Sequence, residues 1–172
     1  MKGDIMMNNA LPMSNSRSYQ THLVLPPDTN HHHSIFGGKV LAYIDEMAAI
    51  TAMKHAKEQV VTASFDSVDF VSPAYVGDIL ELEAMVTSTG RTSMEVYVRV
   101  ISRNIKTGEK KLTTESFVTM VAIGEDGKPV AVPPVYPETE EEKRLFETGG
   151  ARQELRKAKR ANAKERRKIQ EP

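Results

Sequence analysis

The chain has 172 residues, 23 basic and 23 acidic side chains, 40% apolar residues, and neither Cys nor Trp. That suits one domain with a tail, and it excludes a disulfide framework, a thiolate metal site and a cysteine nucleophile. The zero net charge gives no global argument for nucleic acid or membrane as a partner. With no leader-like start and no long apolar run, the expectation is a cytoplasmic protein.

Met1 to Arg17 is rich in Met, Asn and Ser without a usable period, and is expected to be a disordered arm. Ser18 to Leu25 alternates loosely before Pro26-Pro27, which reads as a first strand at a sheet edge. His22 there reads as an ordinary half-exposed strand residue. A polar loop through Asn30 and His31-His32-His33 leads to Gly37-Gly38, and a helix is expected from about Gly37 to Lys57. Its residues Val40, Leu41, Ile44, Met47, Ala48 and Ile50 to Ala52 leave little room for a solvated face, so the helix should be buried. The glycine pair leaves helix N–H groups open and permits close approach. Asp45 lies inside the apolar pattern, where a carboxylate is costly unless it is paired or used. Two readings stay open for it: a functional acid, or a structural carboxylate tied to Ser, Thr or backbone. His55, near the helix end, reads as a capping or surface residue.

Val60 to Val71 alternates as a long strand that Ser72-Pro73 ends, and Ile79 to Ser88 alternates again after Gly77-Asp78. Ser93 to Ile105 follows the Thr89-Gly90-Arg91-Thr92 turn, with Met94, Val96, Val98 and Val100 on one face and Glu95, Tyr97, Arg99 and Ile101 on the other. Leu112 to Ile123 is the last strand. Short loops between long strands imply antiparallel pairing, and one helix against such a sheet gives a two-layer α+β domain. Val130 to Pro137 is Pro-rich and extended. Glu138 to Lys168 reads as helix, and Ala151 to Lys168 holds nine Lys or Arg against two Glu. Such a block is either a solvated helix or a basic arm for an anionic ligand, RNA or an acidic partner. It has no aromatic residue to stack bases.

There is no phosphate-binding loop, no dinucleotide fingerprint and no Gly-x-Ser-x-Gly elbow. Three consecutive histidines point different ways and have no second cluster to complete a zinc site, so no metal is expected. Open N–H groups at a helix start still favour an anion or a developing oxyanion. Asn30 and Asp45, flanking Gly37-Gly38, are therefore the candidates.

Asn30 and Ile35-Phe36-Gly37-Gly38, followed by Ile44-Asp45-Glu46 and Ala48-Ala49, resemble the hotdog-fold acyl-CoA thioesterases. The likeness continues through Val61 to Ser64, Asp69-Phe70, Pro73, Gly77-Asp78, Gly90 to Met94 and Gly127 to Pro129, covering roughly Ser18 to Pro134. His33 departs from the pattern, standing where this family often has Gly. The resemblance implies a hotdog domain over 18–134, with a charged, basic helical tail over 135–172. It implies hydrolysis of acyl-CoA to a carboxylate and CoA, with no cofactor beyond the CoA moiety of the substrate. It also implies a homo-oligomer, a dimer at least and a trimer of dimers beyond that, with Asn30 and Asp45 of one site coming from different protomers. Asp45 would be base or nucleophile, and Gly37 or Gly38 would polarise the carbonyl through N–H. Val61, Thr62 and Ser64 would line the pantetheine channel, and Arg91, Thr92 and Ser93 would meet CoA phosphates. The rival classes are a non-catalytic acyl-CoA sensor, which would need neither Asn30 nor Asp45, and a hotdog dehydratase, for which His55 is poorly placed.

Overall fold

The computed structural model describes residues 9–170. In chain order the elements are β1 (Leu11–Pro12), a 3-10 turn (Met13–Ser16), β2 (Ser18–Leu23), a second 3-10 turn (Pro26–Asp28) and α1 (Gly37–Ala56). There follow β3 (Gln59–Phe70), β4 (Ile79–Thr89), β5 (Ser93–Arg103), β6 (Lys110–Ile123), β7 (Val135–Tyr136), α2 (Glu140–Glu147) and α3 (Gly149–Gln170). Five strands form one antiparallel sheet in the order β2-β4-β5-β6-β3. The sheet wraps α1, which touches all five strands, and this is the expected hotdog arrangement.

Met94, Val96, Val98 and Val100 of β5 are fully buried against the helix, together with Leu80, Leu82, Val118 and Met120. On α1 the buried positions Val40, Ile44, Met47, Ala48, Thr51, Ala52, His55 and Ala56 follow the spacing of one helix face. Each large side chain so placed contributes about 1.5–3 kcal/mol relative to exposure. The opposite side is not buried: Ala42, Glu46 and Ile50 are exposed. The expectation of a helix buried all round is therefore corrected. Ala42 and Ile50 on its second face are left uncovered among the described residues.

Three other expectations change. The predicted disordered arm falls partly on residues 1–8, outside the described residues. From Leu11 on it is ordered: Leu11–Pro12 pairs in parallel with Val135–Tyr136, and Met13 is wholly buried in the core. His55 is not a surface cap. Its ring is fully buried, with Nε2 2.8 Å from the carbonyl of Pro133 and Nδ1 without a partner among the described residues. Glu95 faces away from α1 as expected, yet it is buried, because α3 covers that part of the outer face. His22 does sit half-buried, stacked on Tyr43 at 3.8 Å between ring centroids.

Among the described residues no helix is long and apolar enough to cross a membrane. His33 stands at φ +60°, in the left-handed region. A side chain in this conformation costs about 1–2 kcal/mol. His33→Gly is expected to stabilise the protein by about 0.5–1 kcal/mol in urea unfolding, the gain being trimmed by glycine's greater freedom when unfolded.

Burial lowers the pKa of His55, only partly offset by the Pro133 carbonyl, and burial likewise lowers that of His22. The folded state thus prefers the neutral rings, while the unfolded chain takes up protons below about pH 6.5. Stability is expected to fall as pH drops from 7 toward 5, read from urea midpoints. A flat wild-type profile across that window would contradict a buried neutral His55.

Candidate active site

α1 begins without a side-chain cap: Phe36 is the N-cap residue, and the N–H groups of Lys39 and Val40 return to its carbonyl. The N–H groups of Gly37 and Gly38 have no acceptor among the described residues. A Cβ at Gly37 would lie 3.1 Å from the Phe70 ring, whereas one at Gly38 would meet nothing within 4 Å. A side chain at Gly37 would press on the exposed Phe70 ring, and Gly38 leaves its N–H approachable from outside. Beside this turn lies a cavity of about 320 Å³, lined mainly by Ile35, Val40, Phe70, Val71 and Ala74.

The loop before the helix is organised by Asn30. Its Oδ1 accepts from the N–H of His32 (2.9 Å), the N–H of Ser34 (3.4 Å) and the hydroxyl of Ser34 (3.3 Å). The backbone closes the same turn, with Asn30 N–H to Ser34 O and His33 N–H to Asn30 O. Asn30 thus holds the loop with its carbonyl, and its Nδ2 makes no hydrogen bond among the described residues. His31, His32 and His33 are exposed. Among the described residues no three His, Cys, Asp or Glu side chains gather as a metal would require.

Asp45 sits at the margin of the buried stripe, half-buried in the single chain. Thr62 Oγ1 on β3 donates to its Oδ1 at 2.7 Å. Thr62, which the sequence reading assigned to the pantetheine channel, is thus also the partner of Asp45. The other oxygen, Oδ2, makes no hydrogen bond among the described residues. Val61 is exposed beside it. Ser64, two residues on, points to the other side of the sheet and donates to Asp66 at 2.6 Å.

The remaining predicted site residues lie elsewhere. Arg91 is exposed on the β4–β5 turn, beside a cleft of about 700 Å³ that includes Ala56 and Pro133. Thr92 and Ser93 complete the turn, whose Gly90 lies so close to Ser93 that a Cβ would meet its hydroxyl at 2.7 Å. Since Ala56 ends α1, this turn stands about 15 Å along the helix from Asp45, and almost 30 Å from Gly37. One chain therefore brings together Asp45 with Thr62, and Asn30 with the open helix start, while Arg91 to Ser93 stands apart.

Sequence reasoning missed a second constellation, on the outer face. Glu95 is 2% exposed. Arg152 of α3 donates to it through Nε and Nη2 at 2.8–3.1 Å, Arg156 donates as well, and Thr87 Oγ1 donates at 2.8 Å. Burial opposes its charge, but the hydrogen bonds from Arg152 and Thr87, the Arg152 charge and the Arg156 bond outweigh it and hold the carboxyl below its ordinary pKa. The available signal was an Arg pair four apart in the tail, with a lone Glu among valines in β5.

A family model described as "Thioesterase superfamily" matches residues 32–109. YkhA of Bacillus subtilis, an uncharacterized acyl-CoA thioester hydrolase, is 49% identical over 142 residues, 83% of either chain. The cytosolic acyl coenzyme A thioester hydrolase of Rattus norvegicus is 36% identical over 92% of this chain, which spans 43% of that longer protein. Among solved structures, an apo-hexameric acyl-CoA thioesterase is 69% identical over 89% of this chain and 98% of its own, with a TM-score of 0.87. The Staphylococcus aureus acyl-CoA hydrolase, solved with butyryl coenzyme A and coenzyme A, is 48% identical over 93% and 98% of the two chains, with a TM-score of 0.89. The chain belongs to the thioesterase superfamily, on the branch of the acyl-CoA thioester hydrolases.

The S. aureus protein has also been solved with single Asn, Asp and Thr residues changed to Ala. Those three positions are separated by 15 and 17 residues, as are Asn30, Asp45 and Thr62 here.

Proposed function

We propose that this protein hydrolyses acyl-CoA thioesters to a free carboxylate and CoA, with Asp45 as the general base or the nucleophile. The observation carrying this is the Thr62–Asp45 hydrogen bond on a helix that starts with two open N–H groups. Thr62 occupies one carboxylate oxygen and orients the group, leaving the other oxygen for a water or for the thioester carbon. As base, Asp45 takes a proton from water as the water oxygen attacks the carbonyl carbon, the C–S bond then breaks, and the departing CoA thiolate takes up that proton. As nucleophile, its own oxygen attacks, CoA thiolate leaves, and water hydrolyses the mixed anhydride, supplying the proton to the thiol. In both routes negative charge grows on the carbonyl oxygen, and the Gly38 N–H at the positive helix end is the donor we assign to it, with Gly37 beside it. Asn30 keeps the loop in shape with Oδ1 and offers Nδ2 to substrate or water. The pathway calls for no metal and no cofactor.

Asp45 lies about 12 Å along the helix from Gly37, too far for both to serve one thioester within one protomer. A second copy resolves this. Edge strand β3 carries exposed Val61, Phe65 and Phe70 and, among the described residues, has a strand neighbour, β6, on one side only. Pairing there joins two sheets and sets the exposed faces of two α1 helices together. Each site then takes Asn30 and Gly38 from one protomer and Asp45 with Thr62 from the other. The hexameric state of the 69% identical thioesterase supports a further assembly of such dimers. We assign Arg91, Thr92 and Ser93 to the CoA phosphates, Val61 to the pantetheine path, and the cytoplasm as the compartment; Ser64, turned to the outer face and bonded to Asp66, is left out of that path.

Thiol release from a panel of acyl-CoAs tests the reading. Wild type is expected to turn over at least one chain length, and folded Asp45→Ala to lose about 10² or more in kcat. No hydrolysis of any acyl-CoA by wild type, with heat stabilisation by CoA, would overturn the enzyme reading in favour of a sensor.

A further inference from the structure

α3 is a 22-residue helix whose basic residues the reaction above does not use. Its first half is bound to the sheet by a chain of charges that ends on Asp66, four residues along β3 from Thr62. Arg152 and Arg156 hold Glu95, and Arg156 also reaches Asp66 of β3 at 3.6 Å. Asp66 in turn accepts from Ser64 Oγ and Thr119 Oγ1, both at 2.6 Å. Lys159 Nζ donates to the Asp66 carbonyl at 3.1 Å.

The register of β3 makes this contact matter. Thr62 lies opposite the buried Met120 and faces α1, and in an unbroken strand Ser64 would face the same way. Instead the pairing slips between Thr62 and Ser64, and again between Phe65 and Ser67. Ala63 is the extra residue that turns Ser64 to the outer face, where Asp66 takes its hydroxyl. A bulge residue lacks its place in the ladder, and among the described residues β3 has no second strand neighbour in its own chain to hold it. The side chains anchored on Asp66 supply that hold. Thr62 is the residue immediately before the bulge.

We propose that the C-terminal helix positions the Asp45–Thr62 pair, with Arg156 as the positioning residue acting through Asp66 and the β3 bulge. The proposal rests on the thioesterase reading. Arg156 touches no reacting atom: it fixes the bulge, the bulge aims Thr62, and Thr62 orients the Asp45 carboxylate. Loosening the helix therefore lowers turnover more than substrate affinity.

The test compares the full-length wild type with Arg156→Ala, Arg156→Lys, Thr62→Ala and the Arg156→Ala/Thr62→Ala double variant on the best acyl-CoA of the panel. Amide hydrogen exchange over residues 60–68 is measured alongside. Arg156→Ala is expected to lower kcat about tenfold with KM within about twofold, to speed exchange at 62–66, and to cost little more in the Thr62→Ala background. Arg156→Lys, which keeps the charge but not the fork, recovers part of kcat. Wild-type kcat in a folded Arg156→Ala, or losses that simply multiply in the double variant, would overturn the proposal. If Arg156→Ala melts below the assay temperature, Asp66→Asn reads the same link with the same expected split. A wild type that hydrolyses no acyl-CoA would overturn the functional reading, and hydrogen exchange at 62–66 still decides whether Arg156 holds the bulge.

Discussion

A carboxylate on the helix that a sheet wraps is the constraint on which this structure turns. Asp45 stands where the buried stripe of α1 gives way to its exposed side, and one oxygen is satisfied by Thr62 from the neighbouring strand. That contact requires β3 to lie alongside α1 and to point residue 62 inward, although residue 64 points outward. It also requires the rest of the carboxylate to remain available. Burial deep in the core would protonate such a group, and full exposure would leave it unoriented. The margin of the helix, beside an edge strand, satisfies both needs and leaves room for a second copy to complete the surroundings.

The charge block in the tail resolves into two parts with different physics. Arg152 and Arg156 are drawn onto a carboxylate that is almost wholly buried, and Arg152 also lies over the Phe117 ring at 4.1 Å. Removing a partner there would strand a buried charge, so the pairing anchors helix to sheet. The later cations, from Lys157 onward, are solvent-exposed and their pairs with Glu154 and Glu165 are surface contacts of little energetic weight. A related network holds α2: Glu142 closes a capping box with Thr139 and is bound by Arg17, which also meets Glu83. Carboxylates of the chain's own outer face are thus the acidic partner of the inner half of the basic block.

Much of this was visible in the sequence where periodicity or turn chemistry speaks directly. The alternation of Met94, Val96, Val98 and Val100, the Pro and Gly breaks between strands, and the helix opening at Gly37-Gly38 all correspond to observed elements. Asn30 and Asp45 stood out because polar groups beside an open helix start and within an apolar pattern demand a reason. What remained hidden depended on contacts between distant segments. A lone Glu among the valines of β5 hints at a partner, but not that a helix over 50 residues later lies across it. Met13 looked like part of an unpatterned arm because its burial comes from the sheet it packs on, and His55 looked like a cap until the Pro133 segment closed over it. The outward turn of Ser64 was hidden because it depends on a bulge after Thr62, which alternation alone does not reveal.

The central claim is that each catalytic site draws on two chains. Mixing unfolded Asn30→Ala and Asp45→Ala variants in equal amounts and refolding them together tests it most directly, each variant being nearly inactive alone. If Asn30 and Asp45 of one site come from different protomers, every mixed dimer restores one intact site, and the mixture regains about a quarter of wild-type turnover. If both residues serve the same site from one chain, no mixed dimer holds an intact pair, and activity stays at the level of the single variants.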